Sequence, residues 1–535
     1  MLKTISPQNY IPHSNLAARA GLLAARLEMR EYRPQTILTM DGGGWPGDWE
    51  GRTILALVRL AEATGKAPAY LEEIVDTVLA ARNARGYLGP IYDGEAAGGA
   101  LVNEQQLSGH SWLLRGLCAF YAYSGREDVY DAALTIGRNL YLPAADLYPE
   151  YPILPGTRCG GGMSGHSTGV VARWLLSTDT GCAYIPLDGV SALYEMTGDP
   201  AIGDLLGVMI ENFLKMDFVG LRVQTHATLT ATRGILRTYR MTGNERYLAE
   251  AMRIFALYTE HGMTSNYENY NWFGRPEWTE PCAVIDSFLV AMQLYMLTGK
   301  REYLTFAQRI YYNGMGFEQR ENGGFGCDTC LGAVGMENNR ILRVHCQEAV
   351  WCCTMRGGEG LASAAEYAYL VDGETVTVPY FSSSDAKIAI GNGHLSLSQK
   401  TAYPFEGSVE FCVKENTAGS VILSCYLPDT AQSVQVSGAL YAQENGMLLL
   451  YVNEQTTMIS VRFRLPYHAE APQGQQNERE GVYAIFRGNL QYSVTVDAPI
   501  SVPHDALIAG VEEYPLRPLF DAYETDHASR QVLFS

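Results

Sequence analysis

Three cysteines and a glutamate are the residues of this 535-residue chain whose types and spacing point most directly to chemistry. They fall in two segments about seventy residues apart, Glu280-Pro281-Cys282 and Trp351-Cys352-Cys353. Adjacent cysteines do not easily close a relaxed disulfide on each other, because their Cα atoms are held about 3.8 Å apart, below the usual bridging range. A shared metal ion is the better partner. Three thiols and one carboxylate form the sulfur-rich set of four that zinc prefers, and one intervening residue lets Glu280 and Cys282 reach the same ion. The competing reading is a set of buried core thiols, since cysteine is among the most buried residue types. A closed four-ligand zinc site also normally reads as structural, because catalytic zinc keeps a position open for water.

The elements that must hold these groups are helical. Pro281 suits a first helical turn, and the run from Ala283 (AVIDSFLVAMQLYMLTG) is apolar at helical spacing. From residue 15 to about 370 amphipathic runs end at a Ser/Thr-Gly and restart after a few polar residues. Gly65, Gly125, Gly198, Gly243 and Gly299 fit the left-handed position just past a helix, so each closes the first helix of a hairpin. The hairpins recur at irregular intervals of about 45 to 75 residues, which suits a closed helical toroid better than an open solenoid. With the opening helix SNLAARAGLLAARLEMREY and the segment GLASAAEYAYL, six hairpins complete an (α/α)6 barrel over residues 1–370. The loops at one end of such a ring form a funnel able to enclose a small ligand.

Near Asp372 the period changes to alternation. Thr375–Tyr380, Lys387–Ile390, Ser408–Val413, Ser420–Leu427, Met447–Val452, Met458–Leu465 and Val482–Phe486 read as strands between turns such as Gly391-Asn392-Gly393. Residues 371–535 are therefore expected to form a C-terminal β-sandwich, and the whole a mainly α protein with β. All seven tryptophans lie in the helical part, where two or three are expected to line the pocket as apolar platforms for a sugar ring, with Trp278 assigned to the substrate.

The formal charge of −19 argues against nucleic-acid or anionic-membrane partners, which need a basic face. The start MLKTISPQNYIPHS lacks an apolar signal region, and no stretch approaches the roughly twenty apolar residues of a membrane span. Eleven cysteines without a framework fit a reducing compartment. A soluble cytoplasmic protein is expected, with a homodimer possible at the sandwich edges.

At these residues the chain resembles glycoside hydrolase family 127, the β-L-arabinofuranosidase family, over most of its length. Glu280-Pro281-Cys282-Ala283 is similar to that family's Glu-Thr-Cys-Ala segment, and Cys352-Cys353 with Ala365-Glu366-Tyr367-Ala368-Tyr369 to its Cys-Cys segment and following helix. Gly109-His110 resembles its Gly-His motif; Thr401–Gly407 (TAYPFEG) and Phe486–Leu490 (FRGNL) resemble two sandwich signatures. The resemblance implies zinc bound by Glu280, Cys282, Cys352 and Cys353, with Cys352 the nucleophile of a retaining glycosidase. A metal-bound thiolate can itself attack the anomeric carbon, which removes the need for a zinc-bound water. Such a mechanism also needs a proton donor. Glu268, in Asn266-Tyr267-Glu268-Asn269-Tyr270, is the nearest counterpart of the family's acid/base glutamate, with Glu277 the fallback. His110 and His226 stand where the family places sugar-binding histidines.

Several residues depart from the family. Thr354-Met355-Arg356-Gly357 replaces the usual prolines and asparagine after the cysteine pair, and Tyr184-Ile185-Pro186-Leu187-Asp188 replaces a further Gly-His motif. Arg356, Arg275 or Arg233 would suit a substrate carboxylate. The Cys327-Asp328-Thr329-Cys330 and Cys346 thiols read as a turn or an unreactive pair, and the run Gly160–Gly165 as a mobile loop. The leading expectation is a zinc-dependent retaining exo-glycosidase that releases terminal β-L-arabinofuranose or a related furanose from a short oligosaccharide. One alternative is a relative acting on an acidic or branched sugar such as the aceric acid of pectin. The other is a non-catalytic sugar-binding or zinc-stabilised structural protein.

Overall fold

A computed structural model describes all residues except 1, 41–43, 155, 158–163, 337, 338, 478 and 526, and the side chain of residue 97. The helices in chain order are α1 (Ser14–Arg26), α2 (Asp48–Thr64), α3 (Leu71–Ala80), α4 (Glu104–Ser124), α5 (Glu127–Ile136), α6 (Pro186–Thr197) and α7 (Pro200–Phe213). They continue with α8 (Thr225–Thr242), α9 (Glu245–His261), α10 (Pro281–Thr298), α11 (Arg301–Arg309), the short α12 (Met315–Glu318), α13 (Cys353–Glu366) and the short α14 (His504–Ala509). The five glycines read as helix stops are the C-caps of α2, α4, α6, α8 and α10, each left-handed with φ between 63° and 71°. At the other ends, Asn103, Asp199 and Asn244 accept a backbone N–H of the helix they precede.

Six helices close on themselves. α2 packs on α4, α4 on α6, α6 on α8, α8 on α10, α10 on α13, and α13 back on α2. Each has an outer partner: α3 on α2, α5 on α4, α7 on α6, α9 on α8, α11 on α10 and α1 on α13. The composition of the helices follows this division. Inner α10 is buried on all sides along Pro281–Met292, whereas outer α11 buries only Tyr303, Leu304, Ala307 and Gln308. Although α10 is long and apolar enough to cross a membrane, 83% of its apolar window is buried inside the protein, as for a core helix. The α2–α4 crossing depends on glycine: a Cβ on Gly51 would lie 2.1 Å from Leu113 N, and one on Gly116 2.5 Å from Gly51 O.

Two six-stranded sheets follow the helices. One runs Lys3–Thr4, Leu370–Asp372, Thr375–Val378, Val421–Tyr426, Met447–Val452, Leu440–Glu444, and the other Gln432–Ser437, Met458–Arg464, Ser408–Asn416, Gly393–Thr401, Ser384–Ile390, Tyr10–Pro12. Inward side chains of both, such as Leu423, Leu450, Leu397 and Phe411, share one hydrophobic core with the helices. A seven-stranded sheet joins Tyr467–Glu470, Tyr483–Arg487, Leu490–Thr495, Arg530–Gln531 and Ile341–Leu342, with Arg517–Pro518 paired to Leu490–Thr495 and Leu533–Phe534 to Tyr483–Arg487. Three pairings cross residue 370: Lys3 with Val371, Tyr10 with Ala386, and Leu342 with Arg530. The chain's beginning is thus built into sheets formed by its end. Strands absent from the sequence reading include Gln432–Ser437 and Leu440–Glu444, which close the outer edges of the two sheets and are largely exposed, so no apolar alternation marks them. The polar stretch His468–Glu480 begins inside the strand Tyr467–Glu470.

Candidate active site

The first two turns of the inner helices, or the residues just before them, line a cavity of about 670 Å³. Asp48, Trp49 and Arg52 come from α2, Ser108 from α4, Ile185 precedes α6, and Gln224 and His226 open α8. Glu280 precedes α10, and Cys352 and Cys353 open α13. Six helix N-termini therefore face one space, and their partial positive charge favours thiolates, carboxylates and developing negative charge there.

The predicted thiols converge. Cys282 Sγ lies 3.7 Å from Cys353 Sγ, and Cys352 Sγ 3.4 Å from Cys353 Sγ. Cys282, Cys352 and Cys353 form one group able to hold a metal ion, and His226, Glu280 and Cys282 form an adjoining one. Burial works against charge on Cys282, yet hydrogen bonds from Cys352 and Cys353 and the nearby Arg52 guanidinium hold its thiol well below the usual range. The bond with Cys282, together with burial, pushes Cys352 well up; burial and the same neighbour do so for Cys353. One negative charge is thus concentrated on Cys282. Glu280 is raised well above the carboxylate range by burial and by that thiolate. Such crowding of acidic groups is what a bound cation relieves.

A polar frame fixes this cluster. Arg52 reaches Asp48 at 2.7 Å, Cys282 Sγ at 3.5 Å and His226 Nε2 at 3.4 Å, with its guanidinium 4.0 Å above the Trp112 ring. His226 Nδ1 meets Asp286 Oδ2 at 3.0 Å, which assigns the donor to Nδ1 and leaves Nε2 to accept from Arg52. Asp286 also accepts from Thr230 (2.6 Å), Arg233 (2.7 Å) and Arg356. With its amide assigned to suit both neighbours, Asn271 donates to Glu280 Oε2 (2.5 Å) and accepts from Trp278 Nε1 (3.0 Å), and Gln224 donates to Glu280 Oε2 (3.4 Å).

Of the remaining predicted residues, His226 and Trp278 line the cavity and the others do not. Trp45, Trp49 and Trp351 join Trp278 on the wall, and His345 stacks on Trp278 with ring centroids 5.5 Å apart. His110 is fully buried away from the lining: its Nδ1 donates to Gln106 O (2.9 Å) and its Nε2 accepts from Leu88 N (3.0 Å). Both ring nitrogens are taken, and burial lowers its basicity to a pKa of about 4, so it serves the fold as a neutral ring. Glu268 is also sealed off, 0% exposed, and burial with the charge of Asp328 raises its carboxyl well above the usual range. Glu277 is exposed and paired with Arg275 at 2.6 Å. Neither expected acid/base lines the cavity.

None of the three arginines offered to a substrate carboxylate reaches the cavity wall. Arg233 and Arg356 are 2% and 1% exposed and spent on Asp286 and Glu359, and Arg275 holds Glu277. The Cys327/Cys330 pair divides. Cys327 lines the cavity and hydrogen-bonds with Cys353, while Cys330 points at Asn269 O, 3.8 Å away. Cys346 lines the wall as well. Residues 160–163 of the glycine run lie outside the described residues. Asp48, Arg52 and Asp179 are cavity residues with no motif to announce them; position near a helix start was the only signal, and for Asp179 not even that.

Residues 183–366 match the family model described as "Beta-L-arabinofuranosidase, GH127 catalytic domain". A structure of a GH127 β-arabinofuranosidase superposes with a TM-score of 0.70 at 14% identity, covering 100% of this chain and 97% of that one. A structure described as a glycoside hydrolase gives 0.71 at 15% identity, with 100% and 97% covered. A GH127 β-L-arabinofuranosidase from Geobacillus stearothermophilus T6 gives 0.67 at 14%, with 98% and 100% covered. At such identities the structural likeness is one of fold. No curated protein sequence matches the chain. The match over residues 183–366 contains Glu280, Cys282, Cys352 and Cys353, and bears out the resemblance read from the sequence: this segment is similar to the catalytic domain of glycoside hydrolase family 127.

Proposed function

We propose that this protein is a retaining exo-glycosidase that releases terminal β-L-arabinofuranose or a related furanose from short oligosaccharides, with Cys352 as nucleophile. The observation that carries this reading is the convergence of buried Cys282 with Cys352 and Cys353, which line the cavity. In a tetrahedral site with Zn–S bonds of about 2.3 Å, neighbouring sulfurs lie about 3.8 Å apart. The 3.7 Å and 3.4 Å separations fit three such sulfurs, and Glu280, which adjoins Cys282, would be the fourth ligand. Zinc bound by Glu280, Cys282, Cys352 and Cys353 supplies the charge that lets all three thiols lose their protons.

The chain's own groups do the rest. Cys352, at the start of α13, presents Sγ to the anomeric carbon, and the helix N-terminus favours the thiolate. Trp278 and Trp351 offer apolar faces to the sugar ring, while His226 and Gln224 supply polar contacts at its rim. The closed ring of helices, read as an (α/α)6 barrel over residues 1–370 with a sandwich over 371–535, keeps the site at one mouth of the barrel. The test is turnover of an aryl β-L-arabinofuranoside by Cys352→Ala, with zinc content measured in parallel. Loss of turnover by 10³-fold or more is expected for a deleted nucleophile, as an order of magnitude; undiminished turnover would reject the reading.

A further inference from the structure

The acid/base of such a reaction must be a carboxyl that faces the cavity. Among the described residues, three side-chain carboxyls line it: Asp48, Glu280 and Asp179. Asp48 is committed to Arg52 at 2.7 Å, and Glu280 belongs to the thiol cluster. Asp179 has neither commitment. It is 3% exposed and accepts two neutral hydrogen bonds, from Ser164 Oγ to Oδ1 (2.8 Å) and from Gly165 N to Oδ2 (2.9 Å). Each oxygen keeps a lone pair for a proton or a ligand. Its backbone follows the strand Trp174–Ser177, which pairs in parallel with Val102–Asn103 ahead of α4, so two elements fix its position.

We infer that Asp179 is the acid/base: it gives a proton to the departing glycosidic oxygen and later takes one from the attacking water. The inference rests on the glycosidase reading above. In the first step Cys352 Sγ bonds to the anomeric carbon while the C–O bond to the leaving group breaks, and the Asp179 proton passes to that oxygen. In the second, water oxygen attacks the same carbon, its proton goes to the Asp179 carboxylate, and the C–S bond breaks to return the thiolate. The proton count closes over the two steps. The titratable groups facing Asp179 are Glu104 of α4, His226 of α8 and Glu280 ahead of α10. Burial outweighs the two hydrogen bonds and raises the Asp179 carboxyl to about 6, so both protonation states are populated near neutral pH.

The test compares Asp179→Asn with the wild-type enzyme on 4-nitrophenyl and 2,4-dinitrophenyl β-L-arabinofuranosides. Against the 4-nitrophenyl substrate kcat/KM should fall by about 10²–10⁴-fold. Against the dinitrophenyl substrate, whose departure needs no proton, the first step should survive, leaving sugar-modified Cys352 that added azide releases. A loss equal on both substrates, or none on either, overturns the assignment of Asp179. If Cys352→Ala keeps full activity, the glycosidase reading itself fails, and that outcome is read independently of Asp179. Should Asp179→Asn not fold, Ser164→Ala removes one donor from the carboxylate, so the alkaline limb of kcat/KM should move to higher pH. An unmoved limb counts against the proposal.

Discussion

Removing Asp286 should show how tightly the site and the barrel interior are joined. Its carboxylate is 0% exposed and faces His226 and Arg233 of α8 and Arg356 of α13. Burial alone would raise it, but the charges of Arg356 and Arg233 and the His226 contact hold it well below the usual carboxylate range. Asp286→Ala leaves Arg356 to Glu359, and Arg233 to Glu359 and, at 3.6 Å, Asp188. Breaking a buried pair in this way costs about 3–5 kcal/mol. At about 2.1 cal/mol/K per residue, a 535-residue chain unfolding as one unit has a transition entropy of about 1.1 kcal/mol/K, so the midpoint should fall by about 3–5 °C. The assay is differential scanning calorimetry at pH 7, with kcat/KM measured alongside because His226 loses its anchor. A group with a depressed folded pKa stabilises above its unfolded pKa, about 4, and loses that contribution as pH falls toward the folded value. The gap between wild type and variant should therefore hold from pH 7 to 5 and narrow only below about 4. A midpoint within 1 °C of wild type at pH 7, by this about 1.1 kcal/mol/K scale, would refute the reasoning.

Further expectations concern the packing, the buried histidine and the sugar platform. Gly51→Ala forces α2 from α4 and should cost about 1–3 kcal/mol with loss of activity through Arg52, whereas Gly207→Ala, in open space on α7, should stabilise by about 0.4–1 kcal/mol; thermal midpoints check both. His110→Ala should lower the midpoint and leave KM unchanged. Because His110 binds its proton less tightly folded than unfolded, its destabilising effect on the native protein grows as pH falls from about 6.5 toward 4, a trend the variant should lack in pH-dependent melting. Trp278→Ala should raise KM more than it lowers kcat in steady-state kinetics, since it removes a platform and not a reacting group.

The cysteine cluster was legible in the sequence because each half carries its own local signature. Adjacent cysteines, and a cysteine one residue from a glutamate at a helix start, announce themselves without any knowledge of the fold. The helix stops were equally readable, since Gly65, Gly125, Gly198, Gly243 and Gly299 each supply a conformation other residues resist. Depth was not legible. His110 and Glu268 sit at plausible chain positions, but only packing reveals that His110 spends both nitrogens on the backbone and that Glu268 is walled in beside Asp328. Asp179, Arg52 and Cys327 reach the cavity from segments more than a hundred residues apart, and no spacing rule connects them. The N-terminal strands escaped for a similar reason, because Lys3–Thr4 and Tyr10–Pro12 are too short to show alternation and are specified by partners at residues 370–386.

The most direct measurement is peptide mapping of the zinc-loaded protein after reaction with an L-arabinofuranose-derived bromoacetamide. The account predicts one sugar per chain, attached at Cys352, with turnover lost in proportion to labelling. Labelling spread over Cys282, Cys327 and Cys353, or full turnover with Cys352 modified, would contradict it.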